Sequence, residues 1–418
     1  MGLRNIRMAT LVFIGMLFLN ISSAYTETAD DYYNRGNTYY GQGNLSQAIS
    51  NYTKAIEINP NREDFYNNRG AVYRNMGEFP KAISDLTKSI EINPNYAQAY
   101  YNRGLTYGEL GDLAQAISDL TKSTEINPNH AETYYNRGLA YSNKGDYDQA
   151  ITDYDRAIQI KPDYANAYDG RGFAYGKKGN LDKAVLDFNN SIRINPKNAD
   201  TYDNRGIAYR KMGNHGQAIS DLSKAIELAP NNYAYYMDRG ISYYDKGDYD
   251  QAISDYSQAI KINPSIPYHY FIRGDIFCKK GEYDKGIADF DQAIKINPNI
   301  AEIYLSRGYT YHTKGNYDRA ISDYTKAIEI NPGFGPAYNN RGWLYARKGE
   351  LDKALSDCNK AIEIDPKAGY AYDSRAFAYF KKQDYDKAWA DVHKVEELGS
   401  KPSADYIQEL KNASGKEK

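Results

Sequence analysis

The sequence predicts an all-α fold built as a stack of antiparallel helix hairpins. Three observations predict it. A unit of 34 residues recurs eleven times without insertion, starting at 29, 63, 97, 131, 165, 199, 233, 267, 301, 335 and 369. Within each unit, small and aromatic residues at positions 4, 8 and 11, and again at 20, 24 and 27, form two stripes of helical spacing. Between and after the stripes stand the residues that end helices, Gly at position 15 and Pro at position 32. A chain of 418 residues would ordinarily suggest two or three globular domains, but a fixed period takes precedence over that prior.

The first helix of a unit carries Tyr at position 4 in every copy, from Tyr32 to Tyr372. Position 8 is Gly except at Ala376, and position 11 is Tyr except at Phe277. Gly at position 15, as at Gly145, ends this helix in the left-handed conformation. Asp or Asn follows in most units, as at Asp146, and caps the second helix. That helix carries Ala at position 20 except at Gly286, a large apolar residue at 24 such as Tyr52, Leu86 or Phe188, and a small residue at 27 except at Val395. Asn-Pro, as at Asn59-Pro60, closes it, because the ring of proline disfavours helix at the residue before. Small residues at 8, 20 and 27 let the two backbones approach, and the rings fill the flanks.

One charged residue recurs beside the apolar stripe. Position 7 is Arg in all eleven units, and position 23 is Asp in ten, the first unit having Asn51. Both positions border the seam between the helices, so each Arg is expected to fork across a carboxylate of the Asp row. Arg137 has two candidates, Asp153 in its own unit and Asp119 in the preceding one; Arg103 and Asp119 form the equivalent pair one unit earlier. The competing reading is an exposed Arg row that binds an anion, which an Asp row of equal frequency would neutralise.

These spacings resemble the tetratricopeptide repeat, with its aromatic, Gly, Tyr, Ala, aromatic, Ala and Pro positions. The resemblance covers residues 29–402. Tyr stands at position 4 where the family usually has Trp, and Arg at position 7 where it usually has Leu. The resemblance implies a right-handed superhelical solenoid whose first helices line a concave trough. Residues 403–418 read as a capping helix and polar tail, and the eleventh unit departs from the pattern at Ala376, Gln383 and Ser400, as terminal repeats do.

The family binds extended peptides or partner helices in that trough, and the resemblance implies protein or peptide partners here. Positions 2, 5, 6, 9, 12 and 13 are expected to face it. Position 6 holds Asn34, Asn68, Asn102, Asn136, Asn204 and Asn340, whose carboxamides suit the backbone of an extended peptide. This is similar to the asparagine ladder lining the superhelix of a glycosyltransferase member of the family. Bonding to a neighbouring helix is the alternative for the same side chains. Aromatic candidates are Tyr101 and Tyr135, and then Tyr268, Phe271, Tyr309, Trp343, Tyr370 and Phe380, which make the C-terminal half of the trough greasier. The Lys that chaperone-binding members carry at position 5 is absent from all eleven units, so a carboxylate clamp is not expected.

The remaining signals are mostly exclusions. The formal charge of −2 and the lack of a basic block argue against nucleic acid. Arg4 and Arg7, an apolar run from Met8 to Ile21 and then Ser22-Ser23-Ala24 have the layout of a secretory signal peptide over 1–24. Export to the periplasm or the exterior is therefore expected, with no membrane span after cleavage and an uncleaved anchor as the alternative. Cys278 and Cys358 lie too far apart in the array to pair; Cys358 reads as a buried hydrophobe, and Cys278, at position 12, as a thiol open to the trough. The five His residues fall at different unit positions, Asp146 and Asp148 lack the rest of a calcium loop, and no phosphate loop or nucleophile elbow occurs. No catalytic residue, metal or cofactor is expected. The function expected is a binding scaffold; an accessory subunit of a separate enzyme and a static part of an envelope complex are the alternatives. Oligomeric state is not legible.

Overall fold

The computed structural model describes residues 27–415. The expected signal peptide lies outside the described residues. Among those described, eleven helix pairs follow one another, from Ala29–Gly41 with Leu45–Ile58 to Gly369–Lys381 with Tyr385–Glu397, and a last helix spans Ala404–Ser414. The chain divides into two compact bodies, one ending at Pro196 and the other beginning at Lys197. The N-terminal body holds hairpins one to five; the C-terminal body holds hairpins six to eleven and the last helix.

Local chemistry sets the ends of the helices. The Gly at position 15 has a positive φ in ten hairpins, as at Gly145 (86°), a region that side chains rarely tolerate. In the eleventh, Gln383 takes the same conformation with φ 64°. The next residue caps the second helix: Asp146 accepts from the backbone N–H of Gln149, and Asn44, Asp112, Asn180, Asp248, Asn316 and Asp384 act alike. Glu at this position, as at Glu78, makes no such bond. At the far end, Asn59 is extended, as a residue before proline must be, and its side chain accepts from Asn61 N–H at 3.2 Å.

Each hairpin closes on its own Gly and Ala, then shares its rings with the next. A Cβ on Gly138 would stand 2.9 Å from the Tyr154 ring and 3.2 Å from the Ala150 carbonyl oxygen, so only glycine fits. In the eleventh hairpin the facing residue is the smaller Val392, and Ala376 occupies the glycine position. Tyr52, Tyr154, Tyr256 and Tyr324 at position 24 are fully buried. Tyr52 packs with Val72 of the following hairpin, Tyr256 with Ile276, and Tyr324 with Leu344. Burying such a side chain contributes about 1.5–3 kcal/mol, and part of that contact belongs to the neighbouring hairpin. A single unit therefore leaves its own core uncovered.

The Arg row is internal. From Arg69 to Arg375, each position-7 Arg forks onto the position-23 Asp of its own hairpin, Nε to Oδ2 and Nη2 to Oδ1, at 2.6–2.9 Å. Arg103 thus takes Asp119, and Arg137 takes Asp153. The remaining donor reaches backward. Arg137 Nη1 donates to Thr121 Oγ1 at 3.1 Å, and Arg69, Arg103, Arg239, Arg273 and Arg341 donate to Thr53, Thr87, Ser223, Ser257 and Thr325. These acceptors stand at position 25 of the preceding hairpin, a row outside the two stripes. Its signal was available: position 25 is Thr, Ser, Asp or Asn in ten units, and becomes His393 only in the last, which has no following Arg to satisfy. In the first hairpin Asn51 replaces the Asp, and Arg35 pairs with Glu27 instead.

Candidate functional site

Within each body, the first helices of successive hairpins approach one another directly, as Glu63–Asn75 and Ala97–Glu109 do in one and Gly335–Arg347 and Gly369–Lys381 in the other. Their free faces carry the expected trough positions. Two cavities open on them. The one in the C-terminal body has a volume of about 450 Å³ and is lined by Asp275, Cys278, Lys279, Leu305, Ser306, Tyr309, Thr313 and Asn340, at unit positions 5, 6, 9, 12 and 13, together with Tyr283 and Thr310. The one in the N-terminal body, about 280 Å³, includes Leu105, Glu109, Asn136, Leu139 and Asn143.

The expected trough residues separate into distinct groups. Asn34 is exposed, and so are Tyr268 (51%), Tyr309 (60%) and Tyr370 (44%). Asn136, Tyr309 and Asn340 line the cavities. Asn68 and Asn102 instead bind neighbouring first helices. Asn68 Nδ2 donates to Tyr33 Oη and Asn37 Oδ1, both at 3.0 Å, and buried Asn102 donates to Asn67 Oδ1 at 2.9 Å. Asn136 also spends its amide on Tyr101 Oη at 3.2 Å and on the Glu132 carbonyl at 2.7 Å. These bonds tie the wall of the N-terminal body sideways, which is the neighbouring-helix alternative for that row. Asn204 is half-buried.

Several aromatic candidates are packing rather than open surface. Tyr135 lies between the Tyr154 and Tyr164 rings, and Tyr101 meets His130 edge-on. Phe271 packs on Phe290, and Trp343 lies 4.5 Å from the Phe377 ring centroid. Phe380 is a correction: the last helix covers it. Tyr406 of that helix stacks on Phe380, contacts Phe377 and donates to Asp373 Oδ1 at 2.8 Å; Asp405 pairs with Arg347 at 2.9 Å. The apolar face of Ala404–Ser414 needs cover, and the aromatic end of the wall provides it.

Cys278 is half-buried on the wall of the larger cavity, and a Cβ on Gly286 would sit 2.3 Å from its sulfur. The thiol occupies the notch that alanine fills in every other unit, which explains why position 20 is glycine only here. Thr310 Oγ1 lies 3.3 Å from the sulfur, and burial pushes the thiol pKa up, away from nucleophilic reactivity. Cys358 is buried with its pKa pushed up to about 12 by desolvation.

Three carboxyls of the C-terminal body escaped the sequence reading. Asp203, Asp238 and Asp275 stand on successive first helices at positions 5, 6 and 9. Burial pushes Asp203 up to about 7, helped by Asp238 and Asp200, and pushes Asp275 up to about 6. Asp238 is also raised by burial, although Arg210 opposes this. A signal existed for Asp275, the one charged residue at position 9. Among the described residues, no three His, Cys, Asp or Glu side chains converge as a metal site, and no helix is long and apolar enough to cross a membrane.

Comparison with known proteins follows the same lines. A family model described as tetratricopeptide repeat matches residues 97–130, 131–164, 199–232, 233–266, 301–334 and 335–368. A second, described as TPR repeat, matches 36–77, 70–111, 177–213 and 274–315. No curated protein matches the sequence. Among solved structures, a tetratricopeptide repeat protein from Parabacteroides merdae is similar at 24% identity, over 56% of this chain and 93% of that one, with a TM-score of 0.46. Yeast Tom70 is similar at 18% identity over 93% and 94% of the two chains, with a TM-score of 0.44, and the MamA protein at 32% over 42% and 95%, with a TM-score of 0.38. The repeated hairpins, their small-residue seams and the family matches spread along the array lead to one assignment: the chain belongs to the tetratricopeptide repeat family.

Proposed function

We propose that this protein is a non-enzymatic scaffold that holds peptide segments or helices of partner proteins against the free faces of its first helices. Proteins of this family mediate protein–protein interaction and peptide binding, and the family assignment gives the class. The observation that carries the finer reading is the 450 Å³ cavity of the C-terminal body, whose lining comes mainly from the positions expected to face a ligand. The way Tyr406 seats on Phe377, Phe380 and Asp373 supports it, because that helix uses the same kind of wall as a binding surface. Export remains part of the proposal, resting on the leader residues 1–24; a mature N-terminus at Tyr25, read by mass spectrometry, would support it, and an intact Met1 would count against it.

A photo-crosslinking residue at Tyr309, compared with one at Lys326 on a second helix, tests the interaction face. Capture of defined partners from Tyr309 and not from Lys326 is expected. Equal capture from both sites rejects the first-helix face.

A further inference from the structure

We propose that the cavity between the helices Pro267–Lys279 and Ala301–Thr313 receives a lysine or arginine side chain of an extended peptide, with Asp275 as its counter-ion. The proposal rests on the first-helix face being the binding surface and names what that surface selects. A long cationic side chain has an aliphatic stem and a charged tip. The cavity offers both complements: Leu305, Tyr283 and the largely exposed Tyr309 supply apolar and ring surface, and Asp275 supplies the carboxylate.

Ser306 donates to the Asp275 carboxyl and the Lys279 charge bears on it, but among the described residues no ion pair engages it. Lys279 also lines the cavity, but its ammonium donates to Tyr244 Oη on the preceding first helix and lies 4.6 Å from that ring centroid. Among the described residues no ion pair joins Asp275 to any cation, and the same holds for Asp238 and Asp203. Asp203 Oδ1 is buried without a hydrogen bond. Arg210, whose charge bears on Asp238, donates to Asp245. Every position-23 Asp, by contrast, is forked by an Arg of its own hairpin. Half-buried carboxyls without a cationic partner are costly to ionise, and their raised pKa values express that cost. A cation supplied from outside relieves it.

Asp238 and Asp203 stand on the two preceding first helices, so a probe peptide carries several basic residues.

Fluorescein-labelled peptides with lysine at every third residue of an alanine background, and counterparts with glutamine or glutamate, test this on the full chain by anisotropy at low salt. The lysine peptide is expected to bind roughly tenfold more tightly than the glutamine peptide, and the glutamate peptide least. Asp275→Asn should lower lysine-peptide affinity by roughly tenfold and leave glutamine-peptide affinity unchanged, while Asp318→Asn, on an exposed second-helix site, should change neither. Equal affinity for the lysine and glutamine peptides, or an Asp275→Asn variant that binds as the parent does with its unfolding curve unchanged, overturns the proposal. If no peptide binds but Tyr309 still crosslinks a partner, the cation pocket falls and the interaction face stands. If Tyr309 captures no more than Lys326, the interaction face falls as well.

Discussion

At the scale of single residues, one repeated side chain does two jobs. From the second hairpin on, the Arg at position 7 fixes the two helices of its own hairpin through Asp, and within each body most of these Arg side chains also reach the preceding hairpin through a position-25 hydroxyl, carboxyl or carboxamide oxygen. Desolvation offsets much of the attraction, so the pair is better understood as setting register than as adding stability. Removing one partner is different. Arg137→Ala leaves Asp153 buried and unpaired, since its side chain is 5% exposed in the pair; urea unfolding should show a loss of about 3–5 kcal/mol. The double variant Arg137→Met, Asp153→Leu should recover most of it, and a double variant as weak as the single one would refute the stranded-charge account. Asp203 gives a pH prediction. Its folded pKa, about 7, lies above the usual carboxylate value, so the folded state holds the proton more tightly than the unfolded state does. The associated stability is fully present below the unfolded pKa, near 4, and is lost as pH rises through about 7. Asp203→Asn should therefore match the parent near pH 4 and exceed it at pH 8, by on the order of 2–4 kcal/mol in urea titrations. A parent-minus-variant difference that does not change with pH would remove burial of Asp203 as the cause.

At the scale of the helix pair, the turn and the seam obey separate rules. The turn requires a left-handed residue, and glycine supplies it in ten hairpins; Gln383 does so in the eleventh at a steric cost. Gln383→Gly should stabilise the last hairpin by about 1 kcal/mol, measured by urea unfolding followed through Trp389. No gain would mean that the Gln383 side chain makes a compensating contact. The seam requires that position 8 be chosen together with position 24. Tyr154 demands Gly138, whereas Val392 leaves room for Ala376. Gly286 follows the same logic one contact over, because Cys278 fills the space of the missing methyl. Departures from the repeat pattern are therefore paired substitutions rather than loss of the pattern.

At the scale of the whole molecule, each body is a series of hairpins that borrow cover from the next, and the series needs an end. In the C-terminal body the end is Ala404–Ser414, with Tyr406 and Leu410 buried against Phe377, Phe380 and Trp389. Truncation after Lys401 removes both side chains and uncovers those rings. The shortened chain should lose about 3–6 kcal/mol in its last hairpins and bind a hydrophobic dye that the full chain does not. A truncated chain with unchanged unfolding and no dye binding would mean that the helix covers nothing essential.

The sequence by itself determined the hairpin, its period and its seam, because these depend on contacts between residues at fixed spacing along one chain. Gly138, Ala150 and Tyr154 announce one another at any reading of the repeat. It also named the partners of the Arg row without choosing between Asp153 and Asp119, since both stand half a unit away. Only the tertiary structure decided that choice, and it decided which trough residues are open. Asn102 and Phe380 have the right position number, yet one bonds to Asn67 on a neighbouring helix and the other lies under a helix from the end of the chain. Position within a repeat fixes the direction of a side chain, but exposure depends on what distant segments lay over it, and a period carries no information about that.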